Sequence, residues 1–317
     1  MTGTPLLGPG GPPGIVDDSS GTRTDAADAL DAELFRRRGS RLLRSQRGAA
    51  LTSTLSTLAV LGAIVAAFLL APGSRQVRAT YFDLHDMVRA FLGNPHEGFY
   101  SVGNGLVVNI EMFSIGEVLI LVLALVIALI RQSKSPVLFP MRALAIAYVD
   151  FFRGVPLILV ILAIGFGLPA LYIPFVSYQS AFVYGVLALV LAYSAYVSEV
   201  YRAGLNSVPL SQIASARSLG LRPRTAMRYV VLPQAVRTII PPLLNDFISL
   251  QKDTALVAVL GAVIEANRAA EIYSSTVFNY SGYTVAALLF LVLTIPLARF
   301  TDHLIARDRA RRLAGAT

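Results

Sequence analysis

NSVPLSQIASARSLG, residues 206–220, runs on into LRPRTAMRYVVLP, residues 221–233, and forms a polar, basic interruption between long apolar stretches. Arg202 to Arg237 holds six arginines and no carboxylate. A linker that merely joined two membrane spans could be short and of any polar composition. This one carries helix signals of its own. Pro209 suits a first helical turn, where its missing N–H is harmless. A helix is expected over 211–219, with Gly220 at the position of a left-handed C-terminal cap. Pro223 can start a second helix that Pro233 stops. Leu210, Ile213, Ala216 and Leu219 are read as one face, kept slim in the middle by Ala214, Ser215 and Ala216. Such a helix fits a shallow groove on another protein; lying flat on the bilayer is the competing reading, and spacing alone leaves both open.

Outward from this stretch, the composition is that of a membrane protein. Of 317 residues 55% are hydrophobic and 15% charged, against about 25% charged in soluble domains. The mean hydropathy is +0.63. Cysteine is absent, which excludes disulfides, thiolate nucleophiles and cysteine metal sites. His85, His96 and His303 lie too far apart for a ligand-spaced pair, so no metal site is expected. The net charge of +8 is almost all arginine, placed in patches beside apolar runs. That is the footprint of membrane topology and argues against a nucleic-acid partner. The lysines, Lys134 and Lys252, are not preceded by glycine. The chain therefore has no Gly–Lys phosphate loop, and any ATP must be bound by another chain.

Taken in order, residues 1–14 are rich in Pro and Gly and are expected to be disordered. Residues 25–47 have helical periodicity, acidic first and arginine-rich after, and suit either an inner-leaflet helix or a solvated tail. Six spans are expected, at 51–71, 105–130, 156–172, 181–200, 239–260 and 283–300. The first is read as a retained anchor, because its preceding flank is far longer than that of a signal peptide. With the N-terminus inside, 21 of the 27 basic residues fall in cytosolic segments, as the positive-inside rule requires. Both termini, and the 206–233 stretch, are thereby expected in the cytosol.

Ionisable residues inside spans mark functional ground. Glu199 precedes Arg202 by three positions and is expected to pair with it. Arg153, at the inner end of the third span, is expected to snorkel. The fifth span contains Pro241, Pro242, Asn245, Asp246, Lys252, Asp253 and Thr254, and must face protein or water rather than lipid. Lys252 and Asp253, being adjacent, cannot share a helix face. A translocation pathway with both signs of charge suits a zwitterion; pairing between helices is the competing account. Glu111 and Glu117 bracket the start of the second span, and Asp150 lies in the lead-in to the third. No nucleophile–base–acid set is evident, so an enzyme is not expected.

The order Ala214–Ser215–Ala216, Gly220, Val230, Leu232, Pro233 resembles the coupling loop of bacterial ABC-importer membrane subunits. The family's pattern usually begins with glutamate and two alanines, so this chain departs from it at Ala214 and mildly at Ser215. FRGVPL (152–157), AGLNSVP (203–209), NDFISLQKDTAL (245–256) and EIYSS (271–275) are similar to the polar amino-acid uptake branch. The resemblance spans roughly 105–304. It implies an all-α, type I importer core of five helices, here with an extra N-terminal helix. The implied domains are a cytosolic tail (1–50), the extra helix with an external segment (51–104), the importer domain (105–304) with its coupling loop (203–237), and a basic tail (305–317). The loop residues with Arg217 and Leu219 would meet cytosolic ABC ATPase subunits, which hold ATP and Mg; this chain would bind no cofactor. The other implied partners are an identical or homologous permease, an external solute-binding protein, a small polar amino-acid substrate and membrane lipid. The implied location is the bacterial cytoplasmic membrane. Arg153, Glu199, Asn245, Asp246, Lys252, Asp253 and Thr254 are the candidate pathway residues. A secondary transporter or channel without an ATPase is the rival, but such proteins often show two repeated halves, and no repeat is seen.

Overall fold

The computed structural model describes residues 52–314. The expectations for residues 1–14 and 25–47 lie outside the described residues. The chain divides into two units, residues 1–74 and 75–317. In the first, α1 (Thr52–Leu70) is an apolar helix with mean hydropathy 2.1.

The second unit is all helical among the described residues, apart from a single bridge between Asn94 and Phe99. Its elements are α2 (Ser74–Tyr81), α3 (Leu84–Leu92), α4 (Val102–Gln132), α5 (Phe139–Gly154), α6 (Leu157–Ala170), α7 (Ala181–Asn206), α8 (Leu210–Ser218), α9 (Pro223–Ala226), α10 (Leu232–Asp253), α11 (Ala266–Val277) and α12 (Ser281–Ala314). Side-chain caps set several starts: Ser101 accepts the Asn104 N–H, Ser180 the Val183 N–H, and Asp83 the Asp86 N–H. Each satisfies one of the donors a helix start leaves free.

The bundle is organised around α7. Two thirds of its apolar window is buried inside the chain (67%), against 28% for α4 and 17% for α12. It packs against α4, α5, α6 and α10, and Ile120, Ile161, Leu189, Leu250 and Val257 close the main core. The smaller residues of α7, Gly185, Ala188, Ala192 and Ala195, let its neighbours approach, the usual device where helices cannot rely on excluding water. At one end, α3, α11 and α12 form a second core around Phe99, Val102 and Tyr273. The Tyr273 hydroxyl donates to Asp86 at 2.8 Å, and the Asn279 amide reaches the same carboxylate at 2.7 Å. Burial, with the Asp86 carboxylate alongside, holds the Tyr273 hydroxyl well above its ordinary value.

Four helices are long and apolar enough to cross a membrane, α1, α4, α7 and α12, or five if the bent pair α5–α6 is one span. The expected third span, 156–172, forms as α6, but as one arm of that bent pair. Gly154–Val155–Pro156 separates it from α5 at an angle of 109°, and Val155 is extended at φ −98°, ψ 131°, as the residue before a proline prefers. The 14 residues of α6 span only about 21 Å. The expected fifth span is likewise remade, as α10 followed by a 3₁₀ segment, Thr254–Leu260. The stretches between the first and second and between the fifth and sixth expected spans contain α2, α3 and α11.

Pro233 does not stop a helix, contrary to expectation. Between α9 and α10 the chain makes a π turn, Met227–Val231, in which the Leu232 N–H bonds the Met227 carbonyl. Proline at the head of α10 is tolerated because the wider turn takes up its missing N–H and ring. The helix also passes through Pro241 and Pro242 without ending.

Candidate functional site

The break between α5 and α6 opens a cavity of about 230 Å³ lined by Phe152, Val155, Leu157, Ala192, Tyr193, Tyr196, Asp246, Ser249 and Asp253. Three elements build it: the 152–157 bend, the middle of α7 and one face of α10. Asp246 and Asp253 stand seven residues, or two turns, apart on that face. The Tyr193 hydroxyl donates to Asp253 Oδ2 at 2.6 Å. Asp246 Oδ2 is buried with no hydrogen-bond partner. Glu117 on α4 lies within electrostatic reach of Asp246.

The other candidate pathway residues separate into distinct environments. Lys252 and Asn245 are exposed; Lys252 points away from the cavity that Asp253 lines, as adjacency on a helix demands. Thr254 is buried and accepts from the Asn109 amide at 3.1 Å. Asn109 also donates to Glu265 at 3.0 Å and accepts the Ala266 N–H at 3.0 Å. Glu265 in turn caps α11, taking the Asn267 and Arg268 N–H groups at 2.8 and 2.7 Å. This buried node ties α4 to the 3₁₀ segment and α11. Asn109 and Glu265 carried no local signal of it, since the two are brought together only by the fold.

Glu199 belongs to a different cluster. It pairs with Arg202 at 2.7 Å as expected, but also with Arg131 of α4 at 2.6 Å and more loosely with Arg153 of α5 at 3.8 Å. Arg153 therefore does not simply snorkel: its guanidinium meets Glu199 and lies 5.9 Å from the centre of the Tyr196 ring. The cluster joins the ends of α4, α5 and α7.

At the same end of the bundle, α8 projects after α7. Its C-terminus is a Schellman cap: Gly220 at φ +80° donates to Arg217 O at 3.0 Å, and Leu221 donates to Ala216 O at 3.2 Å. The expected single apolar face does not form. Steps of three residues each fall about 60° short of a full turn, so Leu210 and Leu219 end on opposite sides of α8, both 82% exposed. Ala216 is buried and Ile213 half-buried, the latter packed on Val208, Val231 and Ala235. Gln234 of α10 donates to Gln212 at 2.6 Å and pins the helix down. Ser211, Ser215, Ala216, Leu219, Leu221 and Val230 edge a hollow of about 350 Å³. Ala214, Ser215 and Arg217 are exposed, Val230 is half-buried at that hollow, and Leu232 and Pro233 open α10 beyond it. Among the described residues no group of three or more His, Asp or Glu could hold a metal ion.

The family described as binding-protein-dependent transport system inner membrane component matches residues 120–309. The probable glutamine ABC transporter permease protein GlnM of Bacillus subtilis is 36% identical over 186 residues, 59% of this chain and 83% of that protein. The probable amino-acid permease protein YxeN of the same organism is 39% identical over 172 residues, 54% of this chain and 75% of that protein. Among solved structures, an amino acid ABC transporter with histidines superposes with a TM-score of 0.60 at 33% identity, covering 65% of this chain and 93% of that one. The MetNI methionine ABC transporter, at 16% identity and a TM-score of 0.54 over 65% of this chain and 95% of that one, shares the fold. The chain is thus a multi-pass membrane permease and belongs to the family of binding-protein-dependent transport system inner membrane components.

Proposed function

We propose that the chain is the permease subunit of an ATP-driven importer that carries small polar amino acids across the bacterial cytoplasmic membrane. The observation that carries this reading is the cavity at the α5–α6 break, where an interrupted helix, two tyrosines and two carboxylates converge within the bundle. A discontinuous helix offers unpaired backbone groups to a ligand at membrane depth, and its N-terminus favours an anionic group such as an α-carboxylate. Asp246 and Asp253 favour the ammonium.

The energy arrives from separate ATPase subunits that hold ATP and Mg and dock on the cytosolic loop 203–237. The exposed Ala214, Ser215 and Leu219, the hollow beside them and the arginines Arg217, Arg222, Arg224 and Arg228 support that docking surface. In the family resemblance a glutamate opens the loop; with Ala214 there, docking rests on shape and arginine charge. A second permease, identical or homologous, pairs with this one, and an external binding protein delivers the substrate. The topology we favour has six spans, counting α1 as an addition to a five-helix core and α10 with its 3₁₀ extension as the fifth. Both termini are then cytosolic.

Co-purification with the ATPase and transport into vesicles test the reading together. The wild-type complex should take up an amino acid only with ATP. Ala216→Arg should abolish co-purification, because Ala216 is the buried residue of α8, 5% exposed, and a long cation there would displace the helix from its seat. Asp253→Asn should leave the complex assembled but impair uptake. Full transport by the chain without any nucleotide-binding partner would refute the proposal.

A further inference from the structure

We propose that the cavity at the α5–α6 break selects amino acids with a positively charged side chain, an ammonium or guanidinium, over neutral and acidic ones. This rests on the reading of that cavity as part of the transport pathway.

The argument begins with charge. The ionisable lining residues are Asp246, Asp253, Tyr193 and Tyr196, and no cation is among them. Glu117 adds a third carboxylate within reach of Asp246. Arg153 is not in the lining and lies over the Tyr196 ring with a loose contact to Glu199, and Lys252 stands on the exposed side of α10. A buried carboxylate oxygen without a donor, as at Asp246, is costly unless a ligand supplies one. Phe152 and Tyr193 give the cavity aromatic walls, and a guanidinium or ammonium is attracted to such faces.

Spacing supplies the second part. Asp246 and Asp253 stand two turns apart on one face, about 10 Å along the axis, which suits the two cationic ends of an extended lysine or arginine. The α-ammonium meets one carboxylate and the side-chain cation the other. Leu157, first residue of the 14-residue α6, lines the same cavity, so the helix start faces the substrate's carboxylate. Glutamine would pair one aspartate and leave the other desolvated without a cation. A site built this way rejects the ligand lacking the matching group far more strongly than an apolar pocket does.

The test is equilibrium binding of radiolabelled arginine, lysine, glutamine and glutamate to the full-length chain in lipid nanodiscs. Arginine and lysine should bind roughly tenfold or more tighter than glutamine, as a charge-assisted pair implies. Asp246→Asn and Asp253→Asn should each erase that preference, weakening arginine and lysine roughly tenfold more than glutamine. Glutamine or glutamate binding as tightly as arginine to the wild-type chain would overturn the charge selection yet leave the pathway reading standing, provided Phe152→Trp blocks it. A preference for arginine unaltered by both Asp→Asn variants would place selection elsewhere and also overturn the proposal. Absence of binding by all four amino acids would remove the pathway reading along with it.

Discussion

Gly105 and Gly116 lie on one side of α4, three turns apart, and differ in what a methyl group would meet. A Cβ at Gly105 would fall 2.6 Å from the Ala266 nitrogen, a backbone atom that cannot move aside, whereas at Gly116 nothing lies within 4 Å. Gly105→Ala should therefore cost about 2 kcal/mol through overpacking, read as a lowered melting temperature in detergent. Gly116→Ala should be neutral or slightly stabilising, since alanine is the better helix former. The special status of Gly105 was not legible in the sequence, because the atom it must clear belongs to a residue 161 positions away. Gly220 was legible. Its requirement is local, a left-handed φ of +80° closing a helix, and the residues on either side announce it.

Single elements show why some readings fail and others hold. The Glu199–Arg202 pair followed from helix spacing, but Arg131 reaches Glu199 from another helix, and no local pattern encodes that. The two arginines that join Glu199 from other helices should differ in effect. Arg131 and Glu199 have side chains only 11% and 17% exposed, so Arg131→Met leaves Glu199 to its more exposed partners Arg202 and Arg153 and should destabilise by about 2 kcal/mol through the lost charged hydrogen bond. Arg153 is 47% exposed and 3.8 Å distant; Arg153→Met should change stability by about 1 kcal/mol at most. Thermal unfolding of the two variants in one detergent compares them directly. The face of α8 was misread for a geometric reason: Leu210, Ile213, Ala216 and Leu219 look regular in sequence, yet a strict three-residue period winds around an α-helix rather than running along it. Proline was misread at Pro233 because its local penalty is real, but one extra residue in a turn accommodates it.

For the molecule as a whole, apolar runs placed α1 and α4 within three residues of their observed limits and the starts of α7 and α12 within two, while those last two helices run on past the expected ends, to Asn206 and Ala314. Long windows of uniform hydropathy are the strongest signal a membrane sequence has. The broken span at 154–156 and the charged α10 were harder, since both depart from that uniformity where the cavity forms. Orientation has a direct test that the composition makes simple. The chain has no cysteine, so a single introduced thiol reports its own side of the membrane. Ser215→Cys should react with a membrane-impermeant maleimide only from the cytosolic face, and Ser275→Cys only from outside. Labelling of both from one side would invert or dismantle the topology.

The π turn at Met227–Val231 has a consequence for how this chain tolerates change in length. A π turn is an α-helix holding one residue too many. Removing a single residue there would leave α9 and α10 as one regular helix, with Ala226 and Ala235 still facing their present neighbours. Removing one inside α10 ahead of Asp246 would instead rotate Asp246 and Asp253 by about 100° relative to everything upstream. The chain thus has a place where its register can absorb an indel between the basic loop and the acidic cavity, and that place sits outside the helix whose facing matters.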